Sequence, residues 1–199
     1  MASEDLDFTQ VAFYGRGFPE YLSMFNMTAD YLQGKRICDC PGGPATFSLR
    51  CEERGIEVSA CDPLYDQTPE QLRKQIQAAA EAIIEKERKG SRFLYPDRIS
   101  TSDRLTEMEA FLKDFETPPT KSKRYFAAKL PHLPFLDASF DLVLSGNLLF
   151  LYSDPESGGT MLNSPFDLDF HIAAVRELAR VCAPGGEIRI YPLIGVGVR

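Results

Sequence analysis

The chemistry-bearing stretch of this 199-residue chain is Asp39-Cys40-Pro41-Gly42-Gly43-Pro44-Ala45, and its partner at a distance is Asp62. Adjacent glycines let a backbone turn sharply and let a ligand approach where a Cβ would stand in the way. Pro44 can begin a helix without wasting an amide, and the N–H groups of that helix start then suit a carboxylate or phosphate. Pro-Gly-Gly also makes plain turns, so the loop alone leaves both readings open. Asp62 lies 19 residues after Gly43, close to the roughly 20-residue offset at which an acid meets ribose hydroxyls in nucleotide-binding βαβ units. Its alternative is an exposed acid that starts a turn before Pro63.

A second group of titratable residues comes late in the chain. Tyr152, Asp154 and His171 are the candidates for acid–base work, with Phe150 and Tyr152 equally suited to a pocket wall or core. His171 stands three residues after Leu168 and four before Val175, a spacing that also fits a packing histidine. Pro155, Gly158 and Gly159 suggest a loop that is either a substrate gate or a surface connector. Five cysteines and two histidines show no metal-ligand spacing and no Cys-x-x-Cys pair, so the cysteines read as small buried apolar residues and no metal is expected.

Five short apolar stretches are expected to form the strands that position these residues: Arg36 to Cys40, Glu57 to Cys61, Arg124 to Ala128, Phe140 to Ser145 and Glu187 to Tyr191. They alternate with helical patterns, as a parallel α/β sheet requires. Phe47, Leu49 and Cys51 before Gly55 fit a short crossover helix closed by glycine. The spacing of Leu168, Ile172, Val175, Leu178/Ala179 and Cys182 predicts a helix with Ser164 as N-cap and Pro165 first, stopped by Ala183-Pro184-Gly185-Gly186. Residues 63–123 read as a helical insertion. Its first helix is capped by Thr68 with Gln71, carries Leu72, Ile76, Ala79/Ala80 and Ile83, and closes at Gly90. Its second carries Leu105, Met108, Phe111/Leu112 and Phe115 and ends at Pro118-Pro119. The insertion either covers the sheet or forms a lid. Residues 1–34 form an N-terminal helical segment whose aromatic run, Phe13 to Phe25, packs on the sheet or folds over a ligand. One domain, residues 1–199, is expected.

Composition narrows the function classes. Lys and Arg total 22 against 29 Asp and Glu, a net charge of −7, which disfavours nucleic acid and anionic lipid as partners. The small basic cluster Lys121-Ser122-Lys123-Arg124 reads as a solvated loop. No apolar run approaches a membrane span, and the start Met1-Ala-Ser-Glu-Asp-Leu-Asp lacks the pattern of a signal peptide, so a cytoplasmic protein without membrane partners is expected.

Three motifs in order, Ile37 to Gly43 with Asp62, Leu133 to Ser145, and Glu177 to Glu187, resemble the class I S-adenosylmethionine-dependent methyltransferases. Within them the chain is similar to an uncharacterised methyltransferase-like branch whose glycine motif reads Asp-Cys-Pro-(Gly/Ala)-Gly. The resemblance implies a Rossmann-like fold, a mainly parallel sheet with helices on both faces, and S-adenosylmethionine as cofactor. It implies that Asp39, Cys40, Pro41, Gly42 and Gly43 lie beside the methionine portion, Asp62 on the ribose, and Pro63 and Leu64 along the adenosine. Leu130 with Leu133 would line the adenine side, and Ser145, Gly146 and Asn147 would approach the transferred methyl. Three departures stand out. Pro41 and Ala45 replace two glycines of the usual motif, Lys129 stands where an acid often meets the adenine amine, and strands six and seven of the family sheet are expected to be absent. The resulting expectation is a methyltransferase for a small-molecule acceptor, with a homodimer through the exposed sheet edge. The alternative is a non-catalytic protein of the same fold that binds a nucleoside or a protein partner. A nicotinamide dehydrogenase fits less well, because Gly-x-Gly-x-x-Gly is absent.

Overall fold

Three segments with unbroken or nearly unbroken apolar character form the centre of a parallel sheet: β1 (Arg36–Asp39), β2 (Glu57–Cys61) and β4 (Phe140–Gly146). Strands buried on both faces need no polar alternation, which is why they read as continuous runs. The computed structural model describes residues 13, 15–88, 100–117, 124–157, 159–161 and 163–193. The expectations placed on Met1 to Asp7, Tyr14, Gly90, Pro118-Pro119, Lys121 to Lys123 and Gly158, and on the side chain of Ile83, lie outside the described residues.

With β3 (Tyr125–Phe126) and β5 (Cys182–Tyr191), the sheet has the order β3-β2-β1-β4-β5, and every pairing is parallel. The α/β architecture with a mainly parallel five-strand sheet is consistent with the expected Rossmann-like class. The chain winds outward from β1 through β2 to β3 and then returns to the other side of β1. The order therefore reverses between β1 and β4, the place where ligands sit in open α/β sheets.

One face of the sheet carries α1 (Phe18–Met24), α3 (Phe47–Glu52), α4 (Pro69–Arg88) and α5 (Thr101–Phe115), packed against Ile37, Val58, Ala60, Leu142 and Leu144. The other face carries α6 (Leu168–Val181) and the 130–135 segment, packed against Cys38, Cys40, Cys61 and Val143. The short α2 (Ala29–Leu32), capped by Thr28, leads into β1. Gly55, at φ +71, ends the crossover after α3 as its sequence position implies. From the insertion, α4 and α5 seat Leu72, Ile76, Met108, Phe111, Leu112 and Phe115 around Tyr65 and Tyr125. Buried Arg124, bonded to both Asp114 oxygens (2.9 and 3.0 Å) and to Glu52, ties α5 to α3 and β3.

Six expectations need correction. Strand β1 stops at Asp39 and β3 keeps two residues, because β2 offers only Ala60 and Cys61 as partners to it. Strand β4 runs one residue further, to Gly146. The turn Ala183 to Gly186 lies inside β5 as a bulge: Phe140 pairs with Cys182 but Leu142 pairs with Glu187, with Gly185 at φ +81. Helix α6 starts at Leu168 with Asp167 as N-cap, accepting from the Phe170 amide at 2.8 Å. Ser164 instead accepts from the Phe166 amide at 3.0 Å and donates to the Tyr152 carbonyl. The inward face of α6 is His171, Ala174, Leu178 and Val181, so Leu168 is 73% exposed and Ile172 and Val175 face outward with it.

Candidate functional site

At the carboxyl end of β1 the backbone leaves the sheet gradually. The Cys40 amide still donates to the Leu144 carbonyl (2.9 Å), and the Gly42 amide donates to the Cys61 carbonyl (2.8 Å). This brings the glycine loop over the end of β2, where Asp62 receives it. The Gly43 amide donates to Asp62 Oδ2 and the Leu64 amide to Oδ1, each at 2.9 Å. Tyr65 Oη donates to the Gly43 carbonyl at 2.7 Å. A Cβ on Gly42 would stand 2.5 Å from Tyr65 Oη and 3.1 Å from Ala60 Cβ, so only glycine fits there. Gly43 has open space but lies at φ +55, so its requirement is conformational.

Asp39 is 1% exposed. Tyr21 Oη, from α1, donates to its Oδ2 at 2.9 Å, while Oδ1 has no partner. Burial pushes the Asp39 pKa up to about 8, against the Tyr21 hydrogen bond, which lowers it; the nearby Asp62 adds to the rise. Burial also raises Asp62 to about 6, against the two amide bonds that favour its ionised form. Among the described residues no Lys or Arg bonds either carboxyl. The site therefore holds two desolvated acids with acceptor capacity in hand, a complement to a cationic or hydroxyl-bearing ligand.

At the end of β4, Ser145 Oγ and Asn147 Oδ1 are buried without partners. Strand alternation puts Ser145 on the α6 face, opposite to Asp39, whereas Gly146 shares the Asp39 face. A Cβ on Gly146 would lie 3.3 Å from Met24 Cε and from Phe25 Cζ, so α1 closes directly over this strand end. Pro41 is partly buried, Pro63 is exposed and Leu64 half-buried beside the Tyr65 cluster. Leu130 and Leu133 are buried on the opposite face, packed with Cys40 and Cys61.

The later candidates have a different character. His171 Nδ1 lies 2.6 Å from the Asp167 carbonyl, and Nε2 accepts the Phe150 amide at 3.0 Å with Ser153 Oγ at 3.2 Å. These partners assign the Nδ1–H tautomer and engage both ring nitrogens. Phe150 lies at φ +66, a strained conformation for a bulky residue, and the His171 bond and ring stack (5.2 Å, 21°) hold it there. Tyr152 is buried with Leu151 and Met161. Asp154 Oδ1 accepts the Glu156 amide (3.0 Å) and its carbonyl accepts the Gly159 amide (3.1 Å), the bonding of a tight turn. A Cβ on Gly159 would stand 1.9 Å from the Ser153 carbonyl oxygen, so the turn requires glycine. The loop after β4 is bonded to itself, not built as an open gate.

Sequence spacing found Asp39, the glycine loop and Asp62, and these are brought together. It missed Tyr21 and Tyr65, whose hydroxyls tie the acid and the loop. Their only sequence signal was an aromatic run before β1 and a tyrosine three residues after Asp62. Among the described residues no group of three or more His, Cys, Asp or Glu could hold a metal, and no helix is long and apolar enough to cross a membrane.

Residues 92–190 match the family model described as Methyltransferase domain. The matched range takes in β3, β4, α6 and β5, and it supports a methyltransferase. The chain is also 28% identical over 195 residues, 96% of its own length and 81% of the relative's, to a protein of Methanocaldococcus jannaschii named Uncharacterized protein MJ0045.

Proposed function

We propose that this chain is an S-adenosylmethionine-dependent methyltransferase acting on a small-molecule acceptor by in-line transfer. The observation that carries the reading is the unpartnered, buried Oδ1 of Asp39 at the point where strand order reverses, beside a glycine loop tied to a second buried acid. A buried acceptor without a donor is costly, and a ligand that supplies one removes the cost. The residues present fit the cofactor: Asp39 Oδ1 can accept from its ammonium, and Asp62, whose two oxygens each accept one amide, keeps lone pairs for ribose hydroxyls. Pro41, Gly42 and Gly43 line the methionine portion, Pro63 and Leu64 border the adenosine, and Asn147 Oδ1 adds an acceptor at the end of β4. When bound, S-adenosylmethionine supplies an electrophilic methyl group on a sulfonium.

The protein's own contribution is alignment and exclusion of water. Helix α1 shields Asp39 and Gly146, and the Asp62 and Tyr65 bonds fix the loop before any ligand arrives. His171 has both nitrogens engaged and Asp154 is held in a turn, so neither is set up as a base. This favours an acceptor whose nucleophile needs no proton removed by the enzyme.

Calorimetric titration with S-adenosylmethionine and S-adenosylhomocysteine, with a nicotinamide dinucleotide as control, tests the reading. Saturable binding of the adenosyl compounds alone is the expected result, and binding of neither overturns it. The second reading, a non-catalytic protein that pairs along β5, has its own observation: β5 is an edge strand, and Leu168, Ile172, Val175 and Ile188 are exposed. It predicts self-association without ligand binding, read by light scattering.

A further inference from the structure

We infer that Tyr21 is a positioning residue for ligand capture: its hydroxyl fixes Oδ2 of Asp39, leaving Oδ1 as the acceptor for a ligand ammonium, so that binding expels a proton from Asp39. This rests on the adenosyl-cofactor reading above and names the group of the ligand that the acid meets.

The geometry begins with how firmly Tyr21 is held. Its ring stacks on Phe47 of α3 (4.3 Å between centroids, 6° between planes) and tilts against Phe25 (5.8 Å). The helix that carries it is anchored at both ends of its first turn. Glu20 accepts the Gly17 amide (3.0 Å), and Arg104 of α5 reaches Glu20 at 3.1 Å. With the ring clamped, the hydroxyl has one direction available, and Asp39 Oδ2 lies 2.9 Å along it. Burial and the adjacent Asp39 push the Tyr21 pKa up, so the phenol keeps its proton and is the donor.

The titratable groups on the Asp39 side are Tyr21 from α1, Cys51 of α3, and Asp62 and Tyr65 beyond β2; the thiols of Cys38, Cys40 and Cys61 lie near it on the opposite face of the sheet, and Arg16, before α1, acts on Tyr21. None of them gives Oδ1 a donor. Burial keeps Asp39 protonated up to about pH 8. An ammonium that arrives at Oδ1 favours the carboxylate, so at neutral pH the carboxyl proton passes to solvent while the ammonium keeps its own three. Tyr21 favours that exchange by already bonding the oxygen that becomes half of the anion.

The test uses S-adenosylhomocysteine, whose one cation is the ammonium, titrated into the wild type, Tyr21→Phe and Asp39→Asn. The titrations run from about pH 6 to 9 in two buffers of different ionisation heat. For the wild type, release of close to one proton per ligand is expected near pH 7, with affinity rising by up to tenfold per pH unit and levelling near pH 8. Tyr21→Phe keeps the ring stack and so the fold, which a thermal melt checks. It should bind about tenfold more weakly and level off at higher pH, as expected for loss of a hydrogen bond to an ionised group. Asp39→Asn should bind weakly with no proton released. Wild-type affinity and an unchanged pH profile in Tyr21→Phe, or undiminished proton release in Asp39→Asn, would overturn the inference while the cofactor reading stands. No binding by the wild type at any pH would overturn both.

Discussion

The carboxyl ends of β1 and β2 and the loop that follows β4 are both buried and rich in hydrogen bonds, yet they differ in what is left over. In the loop, His171 uses both nitrogens, Thr160 Oγ1 and the Thr160 amide both donate to the Leu151 carbonyl (2.7 and 2.9 Å), and Asp154 closes its own turn. At the β1 end, Asp39 has one oxygen bonded and one bare, and among the described residues no Lys or Arg bonds it or Asp62. Folded proteins satisfy buried polar groups, so a place that fails to do so beside a glycine loop is where a ligand would complete the structure. From Phe150 on, the loop after β4 is braced by its own bonds, whereas the strand ends, where Asp39 Oδ1, Ser145 Oγ and Asn147 Oδ1 are bare, are unfinished.

That contrast can be broken most directly at Asp62. Asp62→Ala leaves the Gly43 and Leu64 amides without their acceptor, so both the loop and the ligand lose their anchor. Adenosyl-ligand affinity should fall by more than about 100-fold, and stability by about 2 kcal/mol, read by calorimetry and by denaturant unfolding. Loss of stability alone would make Asp62 a scaffold residue.

A smaller effect of the opposite kind is expected at His171. His171→Ala removes the acceptor that holds Phe150 in its left-handed conformation and should destabilise by about 2 kcal/mol. Ligand affinity measured below the melting range should stay within about threefold; a large loss would join the loop to the site and dissolve the comparison.

A graded effect, spread over several pH units, is expected in the pH dependence of the ligand-free protein. The folded pKa of Asp39, about 8, lies above its unfolded value near 3.8, so its contribution to stability is full below about pH 4 and is lost as pH rises through 8. The slope approaches about 1.4 kcal/mol per pH unit at most, and Asp62 adds to it up to about pH 6. Chemical denaturation across this range should show the decline, and Asp39→Asn should flatten it. An equal slope in the variant would place the source elsewhere.

Much of the frame was legible in the residues. Strand β2 was read without error and β1 and β4 to within one residue, because continuous apolar runs bounded by Gly, Pro and Asp have few other uses. The start of α6 was misplaced because Ser164 and Asp167 are both competent caps, and the choice between them was made by the Tyr152 carbonyl, a partner 12 residues away. Its inward face was misjudged because Leu168, Ile172 and Val175 make a stripe beside the one that docks, His171, Ala174, Leu178 and Val181, and only packing against the sheet chooses between them. In the site, spacing located Asp62 but could not show that its oxygens hold the Gly43 and Leu64 amides.

The sequence by itself determined the alternation of strands and helices, the turn that glycine at position 43 permits, and the acid at the end of the second strand. These follow from local periodicity and backbone sterics, which act within a few residues. Only the tertiary structure decided that Tyr21, 18 residues before Asp39, holds one oxygen of that acid, that Tyr65 closes the loop, and that His171 is a brace. Those outcomes depend on which side chains burial brings within about 3 Å of each other, a distance set by the packing of whole elements and not by neighbours in the chain.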